Sequence, residues 1–335
     1  MATTNRKAPK TWSLLGDVKR RPSVYEVTAA KFNYHFRREP APFEMDPGAP
    51  INRWYLANRE GSVFNVDDWE GFRDPARLTY SEYVTVQHDR ETYLDAVIDH
   101  HEGVSSVEGL DAAWVDTLTH LVVPLRFPLH ILQMTSLYVA QMSPSAFIIN
   151  CANFQAADEM RRIQRIAYLT KMLANAHGES IADTKTARDP WEKDGHWQPM
   201  RRGLEQMLGV YDWGKAFVVL NLVVKPTIDS LVNDQVAVLA ERNGDELLAQ
   251  LLAEFHVDSQ RSKDWSAALV RYATSMDPAL ADIVRTWVDE WVPAADEAVA
   301  AWAELLESAP QPVAGQQAVD AARRARADLL AAGGL

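Results

Sequence analysis

Asp158-Glu159-Met160-Arg161-Arg162 and Asp258-Ser259-Gln260-Arg261-Ser262 stand one hundred positions apart and share a frame. In a helix, residues three apart leave the same face, so each frame carries two registers. The first and fourth places pair Asp158 with Arg161 and Asp258 with Arg261. The second and fifth places pair Glu159 with Arg162 and Ser259 with Ser262. A Glu followed three residues later by a His in that second register is how helical bundles grip paired iron ions. Two helices repeat the pair, and two others add one Glu each. Here the Asp–Arg register is intact in both copies, whereas the Glu–His register has lost both imidazoles and one carboxylate.

Around the frames the pattern is helical from about residue 74 onward. Capping residues followed by Pro mark helix starts at Asp74-Pro75, Ser143-Pro144, Asp189-Pro190 and Asp277-Pro278. Asn243-Gly244 reads as a stop, with Asp245 opening the next helix. These signals predict long helices near 76–101, 108–142, 144–175, 212–242, 245–274 and 278–307, a shorter one near 196–209 and an Ala-rich one near 316–331. Pro124, Pro128 and Pro226 fall inside apolar runs and should kink them. No repeat of 20–50 residues accompanies the frames. Segment 308–315 reads as a linker to a mobile last helix. The division is an arm over 1–73, a helical domain over 74–308, and a linker with a C-terminal helix over 309–335.

The arm is compositionally separate. It holds Pro9, Pro22, Pro40, Pro42, Pro47 and Pro50, which oppose long helices. It also holds eleven of the 31 aromatic residues: Trp12, Tyr25, Phe32, Tyr34, Phe36, Phe43, Trp54, Tyr55, Phe64, Trp69 and Phe72. A disordered tail is poor in such rings. The expectation is an extended arm that plants aromatic anchors on a partner subunit. The alternative is an arm folded back on its own helices.

Bulk properties exclude several classes. The net charge of −12 over 335 residues opposes nucleic-acid binding, which needs clustered Lys and Arg. Cys151 is the single cysteine, so neither an internal disulfide nor a cysteine metal site can form. No apolar h-region is read in MATTNRKAPK, and the strongly apolar run 216–224 is short for a membrane span. The expectation is a cytoplasmic chain bound to neither membrane nor nucleic acid. Motifs for nucleotide cofactors and for a serine nucleophile elbow are absent.

A metal test follows from the frame. None of the nine His residues has Asp or Glu three places before it, and none is four places from another. No acid lies between Asp116 and Asp158, or between Asp212 and Asp229. Of six ligand places only Glu159 survives, and it should pair with Arg162. The retained Asp158, Arg161, Asp258 and Arg261 sit beside apolar residues. That setting suggests two packed helices with Asp–Arg pairs, at least one crossing between them. His100-His101 reads as a solvated helix end, His120 and His130 as hydrogen-bonded core residues, Met134 and Met142 as core filler, and Cys151 as a buried small hydrophobe.

Several stretches together carry a resemblance: KTWSLLGDVKRRPSVYEVTAAKFNYHF (10–36), NRWYLANR (52–59), DDWEGFRDPARLTYSEY (67–83), PLRFPLHILQM (124–134), YVAQMSPSAFIINCANFQAADEMRR (138–162) and DWGKAFVVLNLVVKPTID (212–229). The chain resembles the beta subunit of the hydroxylase component of bacterial multicomponent di-iron monooxygenases, the toluene, phenol, alkene and isoprene branch. The resemblance covers roughly residues 10–305. It implies an all-α, ferritin-like (ribonucleotide-reductase-like) bundle with no catalytic, cofactor or metal residue of its own. The di-iron centre is then expected in an alpha subunit. A small gamma subunit would complete a two-fold heterohexamer, served by an effector protein, a ferredoxin and an NADH-dependent reductase. The implied reaction is oxidation of an aromatic hydrocarbon or small alkene with dioxygen. Against this stand a catalytic di-iron chain and a stand-alone helical binding protein.

Overall fold

The computed structural model describes residues 23–29 and 50–335, and every regular element among them is helical. Two short helices, α1 (Val24–Ala29) and α2 (Pro50–Tyr55), precede α3 (Tyr80–Gly103). Then come α4 (Ala112–Leu121), α5 (Arg126–Met142), α6 (Ala146–His177), α7 (Thr184–Lys193) and α8 (Gln198–Met207). The last four are α9 (Trp213–Arg242), α10 (Glu246–Met276), α11 (Leu280–Glu307) and α12 (Gly315–Gly333).

Two helical hairpins make the centre. Helices α5 and α6 are joined over 143–145, where the Ser145 hydroxyl accepts from the Phe147 N–H at 3.2 Å. Helices α9 and α10 are joined at Asn243-Gly244-Asp245. Gly244 takes the positive φ of +75° that ends a helix without a Cβ clash, and Asp245 caps α10 at Leu248 N (3.0 Å). Packing α6 against α10 brings the two frames together, and α3 lies against both. Helices α11 and α12 cover the far side of α9 and α10. By length and composition α9 could cross a membrane, but it is almost wholly buried within the chain, as a core helix should be.

Several boundaries differ from the sequence reading. Helix α3 starts at a capping box, Thr79 with Glu82, not at Asp74-Pro75. Asp74 instead accepts from the Arg77 N–H at 2.7 Å and from the Tyr25 hydroxyl. Ser143 closes α5, so Ser145 is the cap of α6. Asp189-Pro190 lies inside α7, a helix the spacing did not predict. The run 108–142 is broken by a 3-10 turn at Val123–Leu125, where Pro124 cannot donate to the preceding turn. Pro226 stays inside α9, flanked by π-helical segments Val219–Val224 and Ser230–Gln235. The widened turn before it relieves the clash that a proline ring makes with the preceding turn of a regular helix.

The last helix is docked, contrary to the expectation of mobility. Ala318, Ala322 and Leu329 of α12 are buried, and Asp296 of α11 holds both Arg326 (2.8 Å) and Arg323 (2.9 Å). The aromatic arm divides. Tyr25, Phe64, Trp69 and Phe72 are buried on the chain's own helices: Tyr25 meets Phe147, Phe64 meets Trp213 and Phe217, and Phe72 meets Tyr272. For these rings the folded-back alternative describes the packing. Trp54 is partly exposed beside Tyr211. Trp12, Phe32, Tyr34, Phe36 and Phe43 lie outside the described residues.

Candidate functional site

The two frames meet in a polar core of two layers. In the outer layer both Asp–Arg pairings cross between helices. Arg261 of α10 reaches both oxygens of Asp158 on α6 at 2.7 Å, and Arg161 of α6 reaches Asp258 on α10 at 2.8 Å. Arg261 also touches Asp258 within its own helix at 2.8 Å. Asp158 and Asp258 are each only 2% exposed, so these are buried charges.

Helix α3 completes this layer from outside. Gln87 donates from one amide nitrogen to both Asp158 and Asp258 at 2.9 Å, which ties the two carboxylates together. The Tyr83 hydroxyl donates to Asp158 at 2.8 Å while its ring stacks on Phe154 at 4.2 Å. Arg90 donates to Asp258 at 2.6 Å and also pairs with Glu254. Glu91 receives Arg161 and Arg165. Residues 83, 87, 90 and 91 share one helical face, which is why a single helix can serve both frames.

The two carboxylates diverge electrically. Burial pushes the Asp158 carboxyl up, the Asp258 charge adds to this, and Arg261 with Tyr83 pulls back, leaving it at about 7. Burial acts on Asp258 too, but Arg261, Arg90 and Arg161 outweigh it and hold that carboxyl below the usual range.

The inner layer contains Glu159 and Arg162 from the first frame, Ser259 and Ser262 from the second, and residues of α9 that the sequence reading passed over. Arg162 Nη1 donates to Glu159 at 2.9 Å and to Asp229 at 2.8 Å. Lys225 pairs with Glu159 and lies 3.0 Å from Asp229. Asn233 accepts from Arg162 at 3.1 Å and donates to Ser259 at 2.8 Å. Ser262 is buried, and its carbonyl accepts from Ser266 at 2.6 Å. Below them Gln155 and Asn221 bond each other at 2.9 Å and extend the network to Ser136, Ser266 and Trp265. Burial would raise the Asp229 carboxyl, but Lys225 and Arg162 overcome it and bring it to about 2. Burial likewise disfavours the charges on Lys225 and Arg162, yet their carboxylate partners hold both above their ordinary values.

Asp229 corrects the ligand count made from sequence: the centre holds two carboxylates, not one. The signal was present. Lys225, Asp229 and Asn233 recur every four residues in a largely apolar helix, which places them on one face. A paired metal centre still does not fit. It requires imidazoles and further carboxylates, whereas here Glu159 and Asp229 are engaged by two side-chain cations. Among the described residues no cluster of three or more His, Cys, Asp and Glu is arranged to hold a metal.

Other residues correct smaller expectations. His101 is buried at the end of α3, its ring 3.0 Å from the Ser106 hydroxyl, so it is not a solvated end. His120 and His130 are exposed rather than in the core. Met142 is buried, but Met134 is partly exposed. Cys151 is fully enclosed, and burial, then the nearby Asp74, pushes its thiol up, away from the thiolate a nucleophile needs.

Residues 54–277 match the model of the methane/phenol/alkene hydroxylase family. The chain is 34% identical over 308 residues to the hydroxylase component beta subunit of the toluene-4-monooxygenase system of Ectopseudomonas mendocina, covering 92% of this chain and 94% of that one. A chain of the toluene 4-monooxygenase structure with toluene in its resting active site superposes with a TM-score of 0.80 at 34% identity, over 85% of this chain and 94% of that one. A chain of xenon-pressurised phenol hydroxylase from Pseudomonas sp. OX1 gives 0.82 at 20% identity, over 100% of this chain and 98% of that one, a likeness of fold alone.

Proposed function

The chain belongs to the methane/phenol/alkene hydroxylase family, and we propose that it is the structural, non-catalytic beta subunit of a soluble di-iron monooxygenase hydroxylase. The observation that carries this reading is the bundle centre. Where a catalytic relative needs metal-binding oxygen and imidazole groups, this chain has Arg162 and Lys225 holding Glu159 and Asp229. A fold of the catalytic type with a side-chain-filled centre can hold a reactive partner in shape but cannot activate dioxygen itself.

On this reading the chain pairs with an alpha subunit that carries the di-iron centre. Two such pairs, each with a small gamma subunit, make a two-fold heterohexamer. An effector protein, a ferredoxin and a reductase deliver regulation and NADH-derived electrons, all in the cytoplasm. The toluene relative suggests an aromatic hydrocarbon as substrate, with a small alkene as the second choice. The arm residues before α3 that do not pack on the chain's own body are proposed to reach the partner.

Co-expression tests the assignment. A tag on this chain should retain a hydroxylase alpha chain through size exclusion as one large complex. A chain that stays monomeric beside that partner would overturn it.

A further inference from the structure

We propose that Arg162 and Lys225 take the two places that metal ions occupy in a carboxylate-bridged bundle, so that the centre is neutral and closed to metal. The geometry is that of bridging carboxylates. Glu159 gives one oxygen to Arg162 (2.9 Å) and the other to Lys225. Asp229 gives one oxygen to Arg162 (2.8 Å) and the other to Lys225 (3.0 Å). Each cation therefore touches both anions, and the four groups form a ring of alternating sign. All four are essentially inaccessible: Glu159 is 0% exposed, Arg162 1%, Asp229 2% and Lys225 3%.

Charge counting explains why this substitution is self-consistent. Two carboxylates balance two monovalent side chains. Two divalent ions in the same place would leave an uncompensated charge of about +2 where burial makes any net charge costly. The second frame supplies Ser259, which accepts from Asn233 at 2.8 Å, and the uncharged Ser262, and so the balance is kept. Arg162 stands at the fifth place of the first frame, the imidazole's place in a metal-binding bundle. Asn233 fixes its guanidinium from the other side at 3.1 Å. A divalent ion approaching Glu159 or Asp229 meets two buried positive charges with little solvent to screen them.

This deepens the subunit reading, which rests on the same centre but is checked separately by co-expression, so the two failures are distinguishable. Three variants of the full chain test it: Lys225→Met, Glu159→Gln and the two combined. Lys225→Met strands a negative charge and should lower the thermal midpoint by about 10 °C or abolish soluble yield. The double variant restores neutrality and should recover most of that loss. Mn2+ added to the wild-type chain should leave its midpoint unchanged. The proposal is overturned if Lys225→Met melts like wild type. It is equally overturned if the double variant is no better than Lys225→Met, including the case where both are insoluble. Stabilisation of wild type by Mn2+ that Glu159→Gln removes would also overturn it.

Discussion

Lys225 and Asp229 lie one helical turn apart in α9, 3.0 Å between ammonium nitrogen and carboxylate oxygen, and both are buried in the polar centre of the bundle. An i,i+4 pair on a surface helix contributes a few tenths of a kcal/mol. Buried here and shared with Glu159 and Arg162, the same pair decides what the bundle centre can hold. A vacant centre would invite metal, whereas this one is occupied by the chain's own charges.

The outer layer should be as sensitive as the inner. Asp258→Ala removes an acceptor shared by Arg161, Arg90 and Arg261 and leaves these three buried guanidinium groups with one carboxylate fewer, only Asp158, Glu91 and Glu254 remaining to hold them. The expected loss is about 3–5 kcal/mol in urea unfolding of the assembled protein. A variant that assembled and unfolded at the wild-type midpoint would show that these arginines find solvent instead.

Tyr83→Phe isolates one bond of α3. The ring keeps its stacking on Phe154, and only the hydroxyl to Asp158 is lost. A hydrogen bond to a charged group contributes about 1.5–3 kcal/mol, so a drop of that order should appear in chemical denaturation. An unchanged midpoint would mean that Gln87 and Arg261 alone satisfy Asp158.

Gly214 reports on the docking of segment 62–72. A Cβ there would lie 2.4 Å from Phe64 Cβ and 3.0 Å from the Ser62 hydroxyl. Gly214→Ala must push that segment off α9 and should cost about 1–3 kcal/mol, the range for overpacking a close contact. Faster proteolysis before α3 would accompany it. A variant as resistant to protease as wild type would argue that the segment is not fixed by this contact.

The helical architecture was legible because apolar periodicity and capping residues repeat over long segments. The frames were legible because Asp and Arg three apart on one helix face need no tertiary knowledge. The contributions of α3 and α9 were not. Tyr83, Gln87, Arg90 and Glu91 carry no sequence signal of their role, which needs α6 and α10 placed beneath them. Asp229 was counted only as the edge of an acid-free stretch and Lys225 inside it was passed over, because sequence spacing cannot say which way a helix face points. Helix starts misled where Pro follows Asp or Ser ahead of the residue that caps the next helix, as at Asp74 and Ser143.

Two buried carboxylates give the pH dependence opposite signs. Asp229 ionises at about 2 in the fold, below an ordinary Asp near 4. Its stabilisation is complete above about pH 4 and is lost as pH falls from there toward 2. Asp158 is raised to about 7, so the fold binds its proton more tightly than the unfolded chain does. Its contribution is full below about pH 4 and declines as pH rises to about 7. Unfolding free energy should therefore peak on the mildly acidic side, and Asp158→Asn should flatten the limb between about pH 4 and 7. A limb of unchanged slope in that variant would exclude Asp158 as its source.

The most direct test of the central claim is iron content, measured on this chain purified alone and in complex with its alpha partner. The account predicts that iron follows the alpha chain and that this chain alone carries none above background, with or without prior chelation. About two iron ions per copy of this chain alone, the number a di-iron bundle holds, would contradict it.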